Sequence, residues 1–474
     1  MPDQGSSRRT VLQMGAAMAL SACATPSARA ADKRQPNIIF IMADDLGYAD
    51  LSCYGRREYQ TPNIDALADD GVKFVQAYAN SSVCSATRTA LMTGQYQYRL
   101  PVGLEEPLSG RRHVGLPPEV PTLPSLLRAS GYQTALIGKW HLGRLPDYGP
   151  LKSGYDHFWG FREGSVDYFT HDSFGGRPDL WDGEVPIETT GYATELLGEK
   201  CAEMITLMHS AGRPFFISLH FTAPHWPWEG PNDEAESERL ANGHPMAITH
   251  FDGGSMETYA EMVTALDTEV GRVMAALRSL GISENTIVVF TSDNGGERFS
   301  ETWPFTGKKT ELLEGGLRVP AIVRWPGVAP AGAISDQVCI TMDFVPTLLA
   351  AAGAQPDPAY PSDGIDLTPA IAGGAPVPRQ LFFRYLYRDQ QAYRDGDWKY
   401  LKIMDNTFLF NIAEDPLERA NLKLRDPERF ERMVREYGEW EATMLPLDPN
   451  AMTHGYTGDL LADHFSEPVT QADH

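Results

Sequence analysis

The stretch IIFIMADD, residues 38–45, decides the fold class. Six consecutive apolar residues end there in two aspartates. An unbroken apolar strand needs cover on both faces of its sheet, as in parallel sheets flanked by helices. Three further runs have the same form: residues 132–137, 215–219 and 286–291. We therefore predict an α/β fold with a large, mostly parallel or mixed central sheet flanked by helices.

Each of these four runs is followed by side chains that can take part in chemistry. Acids, an amide, a lysine and histidines stand at these places: Asp44, Asp45, Asp293, Asn294, Lys139, His141 and His225. The carboxyl ends of parallel strands meet at one edge of a sheet, where ligands of open α/β folds bind. The sequence thus predicts one site built from several strand ends.

Composition narrows the class of partner. The chain has 474 residues, 42% hydrophobic content and a net charge of −23. Phosphate backbones are bound by clustered lysine and arginine, so we expect no nucleic-acid partner. The negative charge is typical of a solvated acidic surface.

Residues 1–30 have the pattern of an export signal. Arg8 and Arg9, followed by a short and weakly apolar run, resemble a twin-arginine signal. Residues 20–23 resemble a bacterial lipobox, in which Cys23 would be lipidated. The A-x-A cleavage site at 28–30 competes with it, and both interpretations remain open. We expect an exported, periplasmic protein, with or without a lipid anchor at Cys23.

The cysteines show no metal or redox spacing. No C-x-x-C occurs, so neither a zinc site nor a thioredoxin-like motif is indicated. Cys53, Cys201 and Cys339 allow at most one disulfide, of undetermined pairing, and are more typical of small buried hydrophobes. Cys84 differs, because it begins the predicted helix of NSSVCSATRTALMTG, residues 80–94, four residues before Arg88.

Residues 84–88, with Leu91 and Gly94, resemble the C-x-[PA]-x-R signature of type I sulfatases, in which the cysteine is oxidised to formylglycine. Alanine stands at position 86, where proline is commoner. Further stretches resemble family motifs in family order: 44–45, 138–143, 223–225, 292–296, 314–320, 415–418 and 421–422. The likeness covers roughly residues 36–422, and the motifs together are specific.

The resemblance implies an alkaline phosphatase-like fold and a sulfatase that hydrolyses sulfate monoesters. It implies a catalytic domain over residues 36–372. Short alternating segments after residue 373, and a final helix, predict a smaller antiparallel α+β subdomain over 373–474. Likeness to arylsulfatases and N-acetylgalactosamine-6-sulfatases implies a sulfated glycan or small-molecule substrate, and a formylglycine-generating enzyme as maturation partner.

Two other functions remain open. Phosphonate and phosphate ester hydrolases of the same superfamily carry a similar cysteine-derived nucleophile. A non-catalytic, lipid-anchored glycan-binding protein could also use this fold, although such a protein would be expected to lose nucleophile or metal ligands, and here every expected position is filled.

The acidic residues predict a metal site. Asp44, Asp45, Asp293 and Asn294 offer only hard oxygen ligands, which suit Ca²⁺ or Mg²⁺. The carboxylates would repel one another at one sheet edge without a cation between them. The resemblance implies calcium, one ion per chain.

The resemblance also assigns the catalytic residues, which are Cys84, Arg88, Lys139, His141, His225 and Lys309. Lys309 is preferred to Lys308 because it lies five residues before Glu314, the family's spacing. One hydroxyl of the formylglycine hydrate would attack sulfur, and the other would then lose its proton, to His141, and expel sulfate. His225 and Lys309 would protonate the leaving alcohol and bind sulfate oxygens, and Arg88 would stabilise anionic intermediates.

Aromatic residues lie close to these motifs in sequence. Trp226, Trp228 and Trp303 predict either a surface for sugar rings or core packing, and the sequence does not decide. The polar, glycine-rich stretch 231–255 predicts a long loop that can shape a substrate pocket.

Overall fold

The computed structural model describes residues 35–110, 113–457 and 460–462. The export signal predicted for residues 1–30, including Cys23, lies outside them. Within the described segments, no helix has the length and apolar character needed to cross a membrane.

The strands are numbered in chain order. They are β1 (Asn37–Ala43), β2 (Val72–Phe74), β3 (Ala77–Tyr78), β4 (Gln133–Gly138), β5 (His157–Phe161), β6 (Asp172–Ser173), β7 (Arg177–Pro178), β8 (Leu180–Asp182), β9 (Val185–Pro186), β10 (Phe215–His220), β11 (Thr286–Ser292), β12 (Ala321–Arg324), β13 (Ala333–Ser335), β14 (Cys339–Ile340), β15 (Gln380–Tyr385), β16 (Gln390–Asp395), β17 (Trp398–Ile403) and β18 (Asn406–Asn411). The four apolar runs predicted as strands are β1, β4, β10 and β11.

The helices are numbered in the same way. They are α1 (Pro62–Asp69), α2 (Cys84–Thr93), α3 (Leu123–Ala129), α4 (Ala193–Ser210), α5 (Glu234–Ala241), α6 (Met256–Ser279), α7 (Glu314–Leu317), α8 (Phe344–Ala352), α9 (Thr368–Ile371) and α10 (Pro427–Glu441). Ser255 caps α6 by accepting a hydrogen bond from Thr258 N. Helix α5 lies inside the stretch predicted as a loop. It buries Leu240 and carries two glutamates in its first turn, where acids favour a helix.

The central sheet has ten strands, in the order β13-β2-β12-β11-β1-β10-β4-β5-β8-β9. The five middle strands, from β11 to β5, are parallel, and the outer pairs include antiparallel ones. The predicted mixed, mostly parallel sheet is confirmed. Its carboxyl edge is formed by β11, β1, β10 and β4, which all run in one direction.

The side chains of β1 show why the apolar run is unbroken. Ile39 and Ile41 belong to one hydrophobic core, which includes side chains of α1, α4 and α6. Ile38 and Phe40 belong to a second core, which includes side chains of α2, α3 and α8. Alternate residues of a strand point to opposite faces, so helices on both faces require apolar residues at every position.

The C-terminal part forms a smaller sheet. Strands β15 to β18 pair antiparallel in sequence order, and α10 packs its Met433 and Tyr437 against Tyr393 and Leu409. The predicted antiparallel sheet with a closing helix is confirmed. The domain limits at residues 372 and 373 stay a prediction.

Candidate active site

Cys84 is the first residue of α2. Val83 before it is extended, and the helix ends at Gly94, whose φ of 71° is the left-handed conformation that glycine adopts without strain. All ten residues of α2 are buried. The Cys84 Sγ lies 3.3 Å from His141 Nδ1, and His141 Nε2 lies 2.8 Å from the carbonyl oxygen of Leu108.

The surroundings of Cys84 disfavour the thiolate form of its side chain. Burial raises its pKa to about 11, and the positive charge of Lys139 does not offset this. A neutral thiol is a poor nucleophile, because the thiolate is the reactive form. The position of Cys84 therefore fits a residue that is chemically converted before it reacts.

Three carboxylates meet beside Cys84. Asp44 and Asp45 follow β1, Asp293 follows β11, and Asp45 N donates a hydrogen bond to Asp293 Oδ1 at 3.2 Å. A basic side chain pairs with each carboxylate, and all of these side chains are buried. Lys139 binds Asp44, Arg88 Nη2 binds Asp293 at 2.8 Å, and Lys309 Nζ binds Asp45 at 2.6 Å.

The pKa values of these acids reflect crowding in a buried site. Burial, with the nearby Asp293 charge, raises the pKa of Asp44 well above its usual range. Burial also raises the pKa of Asp45. For Asp293 burial acts in the same direction, but Arg88 and Lys139 hold its pKa below the ordinary value. A cation placed among the three carboxylates would favour their ionised forms.

The donor set fits a hard divalent cation. Ligand atoms of Asp44, Asp45 and His225 lie within 4.8 Å of one another, as do those of Asp44, Cys84 and Asp293. Asp44 Oδ1 and Asn294 Oδ1 are buried, and neither has a hydrogen-bond partner among the described residues. Buried oxygen atoms without donors are costly, and a metal ion would satisfy them. The residues present thus fit the metal expected from the sequence.

The two predicted catalytic histidines are held neutral. Burial and the charge of a neighbouring lysine lower the pKa of both His141 and His225, through Lys139 for the first and Lys309 for the second. His225 Nε2 lies 3.6 Å from Asp45 Oδ2, and its Nδ1 lies 2.6 Å from the backbone oxygen of Trp226. Neutral imidazoles in this position can accept a proton during a reaction.

The structure brings all ten predicted site residues to one edge of the sheet. Arg88 also has a structural role. Its guanidinium binds Asp293 and donates a hydrogen bond to the carbonyl oxygen of Lys139 at 3.1 Å, so it holds the ends of β11 and β4 together. Of the three tryptophans, Trp226 lines the cavity above Cys84, Trp228 is in the core, and Trp303 is 65% exposed.

Sequence reasoning missed three neighbours of the site. His220 lies 3.4 Å from Arg88 Nη1, and Glu297 Oε2 lies 3.7 Å from Lys309 Nζ. Tyr456, from the C-terminal segment, is 2% exposed and lines the same cavity. His220 directly follows the apolar run 215–219, which is a signal that could have identified it. Tyr456 lies beyond every motif and carries no such signal.

A cavity of about 400 Å³ opens above Cys84. Its floor includes His141, His225 and Lys309, and its walls include Trp226, Phe174 and Phe251. Phe251 comes from the stretch 231–255, which was expected to shape a pocket. Concave sites of this size, mostly apolar with a few converging polar groups, are typical of small-molecule binding.

A family model described as Sulfatase matches residues 36–354. The chain therefore belongs to the sulfatase family, whose members are hydrolases acting on sulfate esters and generally use formylglycine and a divalent metal. The fold, alkaline phosphatase-like, is that of the family's solved members.

Individual relatives agree with this membership. The chain is 34% identical to N-acetylgalactosamine-6-sulfatase of Canis lupus familiaris over 378 residues, which are 73% of this chain and 68% of that protein. It is 33% identical to arylsulfatase A of Homo sapiens over 82% of this chain and 79% of that one. The crystal structure of Ps i-CgsB in complex with k-i-k-neocarrahexaose superposes with a TM-score of 0.79, at 29% identity, over 91% of this chain and 98% of the other.

Proposed function

We propose that this protein hydrolyses sulfate monoesters of a sulfated carbohydrate, with formylglycine made from Cys84 as nucleophile and one Ca²⁺ in the acidic group. One observation carries the proposal. Cys84 lies between a neutral histidine, 3.3 Å away, and a buried set of oxygen ligands, at the floor of a cavity. The phosphonate and phosphate ester alternative is less well supported, because a phosphonate monoester hydrolase of Agrobacterium radiobacter shares 22% identity with this chain at a TM-score of 0.60, below the 33–34% identity of the sulfatases.

Asp44, Asp45, Asp293 and Asn294 would hold the metal. Bound there, it supplies Lewis-acid polarisation of the sulfate ester and a positive charge beside residue 84. The remaining charges favour an anion, because Arg88, Lys139 and Lys309 balance the three carboxylates before the ion is counted. A site that is positive inside an acidic protein attracts a sulfate ester.

His141 and His225 are the proposed proton-transfer groups. His141 Nδ1 is at hydrogen-bond distance from the side chain of residue 84, so it is placed to accept a proton there. His225 and Lys309 both contact Asp45 Oδ2 and line the cavity. They are placed to bind the sulfate oxygens and to return a proton to the leaving alcohol.

The carbohydrate part of the proposal rests on the cavity wall and on the relatives. Trp226 packs on His225, with ring centroids 4.2 Å apart, and offers an aromatic face to a sugar ring. N-acetylgalactosamine-6-sulfatase is named for a sulfated sugar, and Ps i-CgsB was crystallised with an oligosaccharide.

Mass spectrometry of the tryptic peptide 74–88 tests the nucleophile. We expect the Cys84 thiol to be replaced by an aldehyde when the protein is made with a formylglycine-generating enzyme. Cys84→Ala should abolish hydrolysis of an aryl sulfate and leave the circular dichroism spectrum unchanged. Cys201→Ala, which changes a buried cysteine of α4, is the control and should keep its activity. Full activity with an unmodified thiol would refute the mechanism, and faster turnover of aryl phosphate than aryl sulfate would refute the reaction class.

We further propose that the protein is exported to the periplasm in folded form. Conversion of Cys84 inside the cell fits a twin-arginine route, which carries folded chains. Changing Arg8 and Arg9 to lysine should leave active enzyme in the cytoplasm. If Cys23 is lipidated, wild type should fractionate with membranes and Cys23→Ala should become soluble. A wild-type chain that starts at Ala31 and is soluble would exclude the lipid anchor.

A further inference from the structure

The cavity above Cys84 carries an uncompensated positive charge away from the catalytic residues. Arg144 and Arg177 are the arginines among its described lining residues, and Glu163 is the carboxylate. Arg144 is paired, because its guanidinium donates two hydrogen bonds to Glu163. Arg177 is exposed and forms no salt bridge with any residue that the structure describes. On a chain with a net charge of −23, an open cation at a substrate cavity is notable.

Arg177 stands on a well-braced element. It begins β7, which pairs antiparallel with β6 in a hairpin whose tip contains Gly175 and Gly176, at φ values of 74° and 65°. The preceding turn is braced by Asp167, whose carboxylate accepts hydrogen bonds from Thr170 N at 2.8 Å and from the Ser237 hydroxyl at 2.7 Å. The turn before the hairpin is therefore fixed by hydrogen bonds, and the pairing of Ser173 with Arg177 fixes the register of the hairpin.

A chain of aromatic contacts joins this hairpin to the reaction centre. Phe174, at the hairpin tip, packs edge-on against Trp226 with ring centroids 5.7 Å apart. Trp226 in turn packs on His225 and lies 5.8 Å from the ammonium group of Lys309. A sugar ring lying on Trp226 would thus have the catalytic residues on one side and the hairpin on the other.

We propose that Arg177 forms an anion subsite at the mouth of the cavity, which binds a second sulfate group of the substrate while the scissile sulfate lies at residue 84. This inference rests on the proposed function and deepens it, since it specifies a polyanionic sugar as the substrate class. A guanidinium matches sulfate and carboxylate with two parallel hydrogen bonds, and it needs no partner from the protein when the substrate provides one. The charge also selects against neutral and singly charged sugars.

Binding to the inactive full-length variant Cys84→Ala, measured by isothermal titration calorimetry, tests the subsite without requiring turnover. The probes are N-acetylgalactosamine 6-sulfate and N-acetylgalactosamine 4,6-disulfate, with glucosamine 6-sulfate and glucosamine 2-N,6-O-disulfate as a second pair. We expect a disulfated sugar to bind about tenfold more tightly than its monosulfated partner at low salt, and the difference to shrink as ionic strength rises.

Substitution of Arg177 supplies the decisive comparison. In the same background, Arg177→Ala should remove the tenfold preference and leave the affinity for the monosulfated sugar within about twofold. Arg177→Lys should keep part of the preference. Arg213→Ala is the control, because Arg213 is exposed just before β10, at the opposite edge of the sheet, and its loss should change neither affinity.

The outcomes separate the two proposals. Equal affinity for both members of each pair in the Cys84→Ala protein, or an equal loss for both on Arg177→Ala, would overturn the subsite. A protein with formylglycine at position 84 that hydrolyses no sulfate ester would instead overturn the proposed function, and calorimetry would still decide the subsite.

Discussion

Two clusters of buried charge among the described residues differ in how their oxygen atoms are compensated. The catalytic cluster consists of Asp44, Asp45, Asp293, Arg88, Lys139 and Lys309, and the junction cluster consists of Glu314, Arg318, Lys399 and Glu418. In the junction cluster every carboxylate oxygen lies within 2.9 Å of a nitrogen or hydroxyl group; for Glu418 Oε1 this is an ion pair with Lys399 Nζ at 2.8 Å that lacks hydrogen-bond geometry. In the catalytic cluster Asp44 Oδ1 and the nearby Asn294 Oδ1 have neither a hydrogen bond nor an ion pair with the described residues.

The junction cluster connects α7 to the four-stranded sheet. Glu314 accepts hydrogen bonds from Lys399 of β17 at 2.9 Å and from Arg318 and Tyr78 at 2.6 Å each. Burial opposes ionisation of Glu314, yet Lys399 and Arg318 hold its pKa far below the usual range. Glu418 accepts from the backbone N–H of Glu314 at 2.6 Å. The sequence stretches 314–320 and 415–418, which resemble family motifs, therefore meet in a structural contact.

The comparison of the two clusters shows that burial and ion pairing do not by themselves identify a functional site. A buried cluster in which every carboxylate oxygen lies next to a cation or a hydrogen-bond donor holds two parts of a fold in one arrangement. Buried oxygens left without donors indicate a place for a ligand. The predictions below test this distinction.

Asp293→Ala should have the largest effect on activity, because it removes one carboxylate of the catalytic cluster. The substitution removes a proposed metal ligand and leaves the buried Arg88 without the carboxylate that it contacts at 2.8 Å. We expect aryl sulfate turnover to fall by about 10³-fold or more, as found when a charge-stabilising group is lost from an active site. Steady-state kinetics measure this. Retention of more than a tenth of the activity would show that Asp293 is not needed to hold the metal.

Lys399→Met should have the largest effect on stability. It leaves the buried carboxylates Glu314 and Glu418 without their shared cation, which typically costs about 3–5 kcal/mol. Urea denaturation measures the change in the free energy of unfolding, and we expect kcat of the folded fraction to change less than about twofold. Lys402→Met, on the same strand, is the matched control. Its partner Asp389 is exposed, so the loss should be below about 1 kcal/mol.

Calcium should act on only one of the two clusters. A ligand that binds only the folded state at 100 times its Kd stabilises it by about 2.7 kcal/mol. We expect added Ca²⁺ to raise, and a chelator to lower, the Tm of wild type and of Lys399→Met by equal amounts, measured by differential scanning fluorimetry. Asp293→Ala should show no shift. An unchanged wild-type Tm with and without chelator, and no calcium by elemental analysis, would contradict the metal site.

The smallest effect concerns Glu106, a buried carboxyl with no basic side chain at salt-bridge distance in the described segments. Burial raises its pKa to about 8, above the ordinary value of 4.5. Between pH 4.5 and 8 the Glu106 carboxyl is therefore protonated in the folded state and ionised in the unfolded state. The free energy of unfolding falls as the pH rises through this range, and it stops changing on this account above pH 8. From pH 6 to 9, wild type should lose about 2.6 kcal/mol of stability relative to Glu106→Gln.

Thermal unfolding of both proteins across this pH range measures the difference. The glutamine oxygen can still accept the hydrogen bond that Leu386 N donates to Glu106 Oε2 at 2.7 Å. Parallel pH profiles for the two proteins would show that Glu106 is ionised in the folded state.

The sequence by itself determined the central sheet and most of the catalytic cluster. Strands β1, β4, β10 and β11 lie within one residue of their predicted limits, because burial on both faces leaves an unbroken apolar run. Since parallel strands end at one edge, residues such as Asp44, Lys139 and Asp293 could be placed together before their contacts were known. The identity of Cys84 as a special residue also followed from local sequence and the motif resemblance.

Only the tertiary structure decided what surrounds this cluster. The contact between Lys309 and Asp45 joins residues 264 positions apart, and Lys309 lies in a segment without regular structure. Phe174, Arg177 and Tyr456 reach the cavity from a short hairpin and from the C-terminal segment. Irregular segments have no periodicity that fixes which way a side chain points, so their contacts depend on how the whole chain packs. For the same reason the junction of Glu314 with Lys399 could be recognised as structural only from its distances.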